Sequence, residues 1–508
     1  MSTRPSYSRG LSFGLLSFGA IALIGVLSSV VTARLYGVQT IGEFALAYAP
    51  VGAVWYLSSV REQVALVREL TALPSRAPRA TGLFLVVLGF STLLTLVVGA
   101  LVLGAAWLVF AGPVHHPELF LPAVANMAVY VVITNAGWNV DAVLSSYRAG
   151  RALLWVRLDQ ALSFLVAATI AGIASRSVWG LVIATGVGAA TSLVHRLVVV
   201  RAYLRWRVPR AAIADGLRAL PQLVRFGLKI TPGTVADGVA NESGTWILGA
   251  VAPLASVGAW SRAWLLTQRF QELTVRVCEM LFPTLVERRH GGDLGGFDRV
   301  LVDTLRYSLV GLLLIGAVAA GAANGIMAVF GPGFDRGAPA FAVLMAMPAL
   351  QTVASILRHA LFAVDRPVHT TFAGLSRMAA TVGASIPLSA AYGPTGTAAA
   401  VVLGQSLDIA VLAPVAWRAL SVPLRSLWPL REALALVLAC TAAVAAAHAG
   451  DAALGGLVGL VAAGLAGTLA FALVLLGGGA LNARDRGRLT GLRAQLRQRR
   501  RGVLRAAG

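Results

Sequence analysis

The chain has 508 residues, 57% of them hydrophobic and only 12% charged, and its mean hydropathy is +0.78. Soluble domains carry about a quarter of charged residues, so this balance excludes a water-soluble globule and calls for surrounding lipid. The net charge of +21 raises nucleic acid as a partner, but the arginines fall in bursts between apolar segments, as in the loops of a membrane protein, and no nucleic-acid partner is expected.

Read in chain order, apolar segments of spanning length are expected at 11–33, 41–66, 82–110, 119–145, 152–174, 178–200, 226–250, 256–282, 303–330, 338–363, 368–391, 395–417, 431–449 and 454–477. That makes about fourteen helices of ~20 or more residues, an all-α integral membrane protein. The first segment is too long for the apolar core of a signal peptide. No ten-residue alternation suggests a β-barrel. Gly455 and Gly459 stand four apart, a spacing that permits close helix packing.

Loop charge sets the expected orientation. With the N-terminus in the cytoplasm, the inner loops hold Arg68, Arg76, Arg79, Arg148, Arg151, Arg201, Arg205, Arg207, Arg210, Arg218, Arg288, Arg289, Arg299, Arg366, Arg418 and Arg425. The outer loops hold only Arg34, Arg176 and Arg336. This is the positive-inside asymmetry, and it puts both termini in the cytoplasm. The tail after Asn482, with nine arginines from Arg484 to Arg505, reads as a juxtamembrane segment held at anionic lipid headgroups.

An internal repeat runs through the chain. ARLYGVQTIGEFALAYAP (Ala33–Pro50) aligns with GAVAPLASVGAWSRAWLL (Gly249–Leu266), Gly42 on Gly258 and Phe44 on Trp260. At the same offset Tyr147–Arg151 aligns with Phe362–Arg366, and Trp179-Gly180 with Thr395-Gly396. Two six-helix halves follow. Because six is even, they share topology and relate by a pseudo-twofold axis along the membrane normal. The expected organisation is 1–200 for the first lobe, 201–225 for a basic linker, 226–417 for the second lobe, 418–481 for two further helices and 482–508 for the tail.

The hairpin Ala33, Arg34, Leu35, Gly37, Gly42, Phe44 and Ala47 resembles the first hairpin of bacterial polysaccharide flippases, part of the multidrug, oligosaccharidyl-lipid and polysaccharide exporter superfamily. The second hairpin fits too, in Trp246-Ile247-Leu248-Gly249, Val257-Gly258, Trp260 and Ala263. Where that family often has an aspartate, this chain has Thr245. The resemblance implies a flippase, not an enzyme, carrying a polyprenyl-diphosphate-linked glycan outward across the cytoplasmic membrane by alternating access. Glycan-polymerising membrane proteins are a further expected partner. A multidrug extruder or a lipid II flippase would share the fold. A membrane glycosyltransferase or polymerase would need a large acidic outer loop, and no such loop is expected here. A non-transporting scaffold is the remaining alternative.

Candidate site residues concentrate on helix eight. Arg262, Arg269, Glu272, Arg276 and Glu279 share an arc of about 100°. Five charges on one face in lipid must meet water or protein partners. They read either as a cavity wall for an anionic substrate or as a self-neutralised ladder at i+3 and i+4 spacing. Arg262 has no carboxylate within a turn. Arg61 near the inner end of helix two and Arg34 at the outer end of helix one are further phosphate contacts to expect. Arginine suits a diphosphate through its planar, charge-assisted fork. Asp237 and Glu242 in helix seven, with no partner within a turn except Asn241, are the candidate ion-coupling groups. Asp141 is expected to pair with Arg148 and Asp159 with Arg157. Arg358, His359 and Asp408 read as structural, and His195 as interfacial. Two cysteines and seven histidines show no ligand spacing, so no metal or cofactor is expected.

Overall fold

The computed structural model describes residues 7–58, 62–205, 207–228, 231–364, 366, 368–420 and 430–478, and among them there are helices and no strands. The first half contains α1 (Tyr7–Leu57), a short α2 (Glu62–Thr71), α3 (Pro78–Ala111), α4 (Phe120–Val129), α5 (Asn135–Ser146), α6 (Gly150–Ala174) and α7 (Val178–Val200). One π-helical turn, Tyr130–Thr134, joins α4 to α5. The linker holds α8 (Arg210–Leu228). The second half contains α9 (Thr231–Val251), α10 (Leu254–His290), α11 (Leu294–Gly321), the short α12 (Ala323–Ala328) and α13 (Ala338–Leu344), α14 (Met347–Ala363) and α15 (Val368–Leu420). Two last helices, α16 (Leu430–Leu454) and α17 (Gly456–Gly477), pack on each other and on α11.

By length and apolarity, ten helices of the described residues can cross a membrane. The sequence suggested more for two reasons. First, α1 and α15 are each one unbroken run interrupted at a single glycine, Gly37 (φ 79°, ψ 167°) and Gly393 (φ 55°, ψ −134°). A side chain would clash in that backbone, so the reversal needs glycine there, and each run is two helices in succession. Second, α9 and α10 are interrupted by the charged residues that the sequence singles out, which lowers their apolarity. Elsewhere the boundaries move. Helix two stops at Leu57, and the tenth expected span is two pieces, α13 and α14.

The segment 201–225, expected only as a basic linker, carries a helix. Its Ala212 and Leu223 are buried, and Ala212 sits against the backbone of Gly82 in α3. The basic tail after residue 482 lies outside the described residues.

Tertiary contacts sort the loops into two ends. At one end Thr40 donates to the Arg176 carbonyl at 3.3 Å, Arg34 Nε donates to the Val329 carbonyl at 2.8 Å, and Gly337 approaches Ala259. At the other, the Arg76 amide donates to the Tyr203 carbonyl at 2.7 Å, and the Tyr147 hydroxyl to the Pro74 carbonyl at 3.3 Å. The first end carries Arg34, Arg176 and Arg336; the second carries the arginine-rich loops. Alternating loops therefore meet at alternate ends, as an even number of crossings per half requires.

The repeat leaves a mark where the halves touch. A Cβ on Gly42 would strike the Leu254 carbonyl, and a Cβ on Gly258 would strike the Val38 carbonyl. Gly42 aligns with Gly258, and Val38 with Leu254. Residue i meeting j′ while j meets i′ is the contact a twofold-related interface produces. Lipid-facing surface completes the picture. Leu457, Val461, Leu465, Leu469 and Leu473 form an exposed apolar stripe on α17, a face that hydrocarbon tolerates and water does not.

Candidate functional site

A cavity of about 860 Å³ opens between the first half and α10. It is built from faces that helical spacing brings into line. From α5 come Trp138, Asp141, Ala142 and Ser145, and from α6 come Arg157, Gln160, Ala161 and Phe164, each set at three- and four-residue intervals. From α1 come Gly25, Ser28, Ser29 and Thr32, and from α10 come Arg262, Leu265 and Arg269.

Arg262 is the most informative of these residues. It is buried, 9% exposed, although it borders the cavity. Its Nη1 donates to Ser29 Oγ at 3.1 Å and its Nη2 to Thr32 Oγ1 at 3.5 Å. Its Nε has no partner, and no carboxylate pairs with it among the described residues. Hydroxyls hold the guanidinium in place without neutralising it. An unpaired buried cation is costly. Arg269 lies one helical stretch further along the same wall, its Nη2 against Gly25, where a Cβ would stand 3.3 Å away.

Among the described lining residues the opposite charge enters through Asp141. Its carboxylate takes a two-point hydrogen bond from Arg196 of α7, Nε to Oδ1 at 2.8 Å and Nη2 to Oδ2 at 3.1 Å. Arg157 stands 3.9 Å away, half exposed to the cavity. Arg148 is not its partner: α5 ends at Ser146 and Arg148 turns into positive φ (56°), so the two-turn reach along one helix does not exist. Asp159 meets His195 at 3.6 Å rather than Arg157. The described lining thus includes four arginines, Arg157, Arg196, Arg262 and Arg269, and one acid, Asp141, with Arg269 making a further contact of its own.

The second half buries a comparable network away from the cavity. Arg358 of α14 holds both oxygens of Asp408 at 2.8 Å, and Asp408 is fully buried. Arg358 also reaches Asp237 at 3.4 Å, and Arg377 of α15 binds Asp237 at 2.9 Å and Asn241 at 2.6 Å. Two arginines and two aspartates cancel. Asp237, which has no partner on its own helix, is therefore compensated across helices. Glu242 is not: it has no ion pair or hydrogen bond among the described residues, and its carboxyl sits against Gly52 of α1, where a Cβ would lie 2.7 Å from Cδ.

Of the other expected residues, Arg34 lies at the arginine-poor end, bonded to the Val329 carbonyl and outside the cavity wall. Arg61 lies outside the described residues, as do the side chains of Arg276, Glu272 and Glu279. The sequence missed Arg157 and Arg196 as cavity residues, along with Trp55, Trp138 and Gln160. The only signal was their helical stripe, which reads equally as packing.

Helices of this number and apolarity, folded as two related halves around a polar cavity, define a multi-pass membrane protein. A family model described as "Polysaccharide biosynthesis protein" matches residues 8–288, and the chain belongs to that family. The probable flippase AglR of Haloferax volcanii is 27% identical over 182 residues; the match spans 34% of this chain and only 37% of that relative. The fold is that of the lipid II flippase MurJ in an inward closed conformation, with a TM-score of 0.67 at 13% identity over 91% of this chain and 98% of that one. It is also that of an inward-facing multidrug resistance MATE family transporter, with a TM-score of 0.56 at 14% identity over 80% and 93%.

Proposed function

We propose that the chain flips a polyprenyl-diphosphate-linked oligosaccharide from the inner to the outer leaflet of the cytoplasmic membrane, with both termini cytoplasmic, for cell-surface polysaccharide synthesis. The observation that carries this reading is Arg262, buried at the cavity wall, held by Ser29 and Thr32, and without a carboxylate partner among the described residues. A sugar head cannot cross ~30 Å of hydrocarbon unaided. The cavity supplies polar walls, and its arginines supply the charge-assisted donors a diphosphate needs. The lipid tail stays in the bilayer. An inside-negative potential favours outward movement of the anion by ~2.3 kcal/mol per charge per 100 mV. Glu242, at the contact of α1 with α9, is the coupling group for an inward cation. Asp237 is left to hold Arg358 and Arg377 together.

The same-fold alternative, export of cationic drugs, calls for an acidic cavity, and the acid in the described lining, Asp141, is already held by Arg196. The test is reconstitution in liposomes with a fluorescent undecaprenyl-diphosphate disaccharide, read by quenching from outside. Faster crossing than in protein-free vesicles, abolished with Arg262→Ala plus Arg269→Ala, supports the reading. A crossing rate equal to the empty-vesicle rate refutes it.

A further inference from the structure

We propose that the α5–α6 wall of the cavity is a saccharide subsite, in which the Trp138–Trp55 pair offers one indole face to the first sugar ring of the head group while Gln160 and Asp141 bind its hydroxyls. The inference rests on the function proposed above and deepens it, from an anion in the cavity to a glycosylated one.

The arginines facing the anion lie on α10, against α1. The α5–α6 wall, which carries Arg157 as well, adds indoles, an amide and a carboxylate. Trp138 projects from α5 and meets Trp55 of α1 edge-on, the ring planes at 89°. One helical turn along, Asp141 is clamped by Arg196 through both oxygens. Arg196 is itself buried and fixed by Ser192 at 2.5 Å. The same guanidinium holds Gln160: its Nη2 donates to Gln160 Oε1 at 3.5 Å. That bond decides the amide's orientation. With the oxygen committed to Arg196, the NH₂ group carries two donors with no protein partner among the described residues, and Gln160 lines the cavity. Gln63, also on the wall, adds a second amide without a protein partner among the described residues.

A pyranose presents an apolar C–H face and a polar hydroxyl edge. An indole takes the first, and planar, pre-oriented amide and carboxylate groups take the second. Here both sit one turn apart on α5 and across from each other on α5 and α6. The polar members are held by a buried arginine, so they lose little freedom on binding. The carboxylate is already neutralised by Arg196, so it accepts hydroxyl bonds without repelling the diphosphate. An apolar drug would suit the indoles but leave these fixed polar groups unpaired, a loss that sites of this kind use to reject such ligands. The cavity volume, in the range of sites for drug-sized ligands, fits a diphosphate with a short saccharide and not a polymer.

The experiment measures binding of three lipids to the full chain in nanodiscs: undecaprenyl diphosphate, and the same lipid capped with N-acetylglucosamine or with galactose. Quenching of tryptophan fluorescence and a label-free affinity are both read. The expected result is that at least one capped lipid binds about tenfold tighter than the bare one, the worth of one or two neutral hydrogen bonds. Trp138→Leu, which stays apolar without the flat platform, and Gln160→Ala each bring that ratio to about one. Arg262→Ala weakens all three lipids together and keeps the ratio. Equal binding of capped and bare lipids by the natural chain overturns the subsite while leaving the diphosphate reading intact, and so does an unchanged ratio in both variants. Failure of Arg262→Ala to weaken any lipid strikes the diphosphate reading instead. Trp138→Met and Gln160→Met, which supply neither an aromatic face nor an amide, repeat the comparison if either first variant is recovered in low yield.

Discussion

Replacing Arg262 with alanine separates a cavity cation from a structural one. In the structure its guanidinium makes two hydrogen bonds, to Ser29 and Thr32, and leaves Nε unpartnered. Removing it strands no acid. It loses two bonds to hydroxyls, of which Thr32 keeps another, donating to the Ser28 carbonyl at 2.7 Å. The fold should therefore lose little, about 1 kcal/mol or less, offset by relief of the buried charge. The ligand loses more. Each charge-assisted bond to a diphosphate is worth roughly 1.5–3 kcal/mol, about ten- to a hundredfold in affinity. Lysine restores part of this, since it keeps the charge and loses the fork. The assay is glycan export in a strain lacking its own flippase, normalised to membrane protein level. Normal protein level with export reduced about tenfold or more is the expected outcome. Normal export with Arg262→Ala and Arg269→Ala combined would refute the argument that the α10 wall holds the anion.

Arg196→Ala is expected to behave in the opposite way: it leaves the half-buried Asp141 without its fork, a loss of about 1–3 kcal/mol, so protein level and melting temperature fall, and adding Asp141→Ala recovers much of both. Gly258→Ala forces a Cβ into the Val38 carbonyl and should destabilise by about 1–3 kcal/mol, whereas Gly19→Ala, in open space, should not; size-exclusion chromatography of the two variants makes the comparison. Glu242→Gln should keep protein level but remove the dependence of export on an ion gradient, and export that still collapses with an ionophore would exclude Glu242 from coupling. In a background without Cys278 and Cys440, cysteine at Arg176 should react with an impermeant thiol reagent outside intact cells and cysteine at Arg288 should not; labelling at position 288 would reverse the orientation.

The membrane class, the helical architecture and the repeat were legible in the sequence because each rests on a property of the chain taken locally or at one fixed offset. Hydrocarbon demands continuous apolar helices, and loop arginines accumulate on one side. Glycines recur where two copies of a hairpin must approach each other, as Gly42 and Gly258 do. Arg262 was legible for the same reason, since the absence of an acid within its own turn is a one-helix statement that the structure preserves. Pairing between helices was not legible. Asp141 finds Arg196 across 55 positions of sequence, and Asp237 finds Arg358 across 121 and Arg377 across 140. No spacing rule reaches that far, because the periodicity of a helix fixes which face a residue occupies and not which helix stands opposite. Asp237 and Glu242 look alike along the chain, two carboxylates five positions apart on one helix. Only the packing of α14 and α15 against one, and of glycine-bearing α1 against the other, neutralises the first and leaves the second without a partner among the described residues.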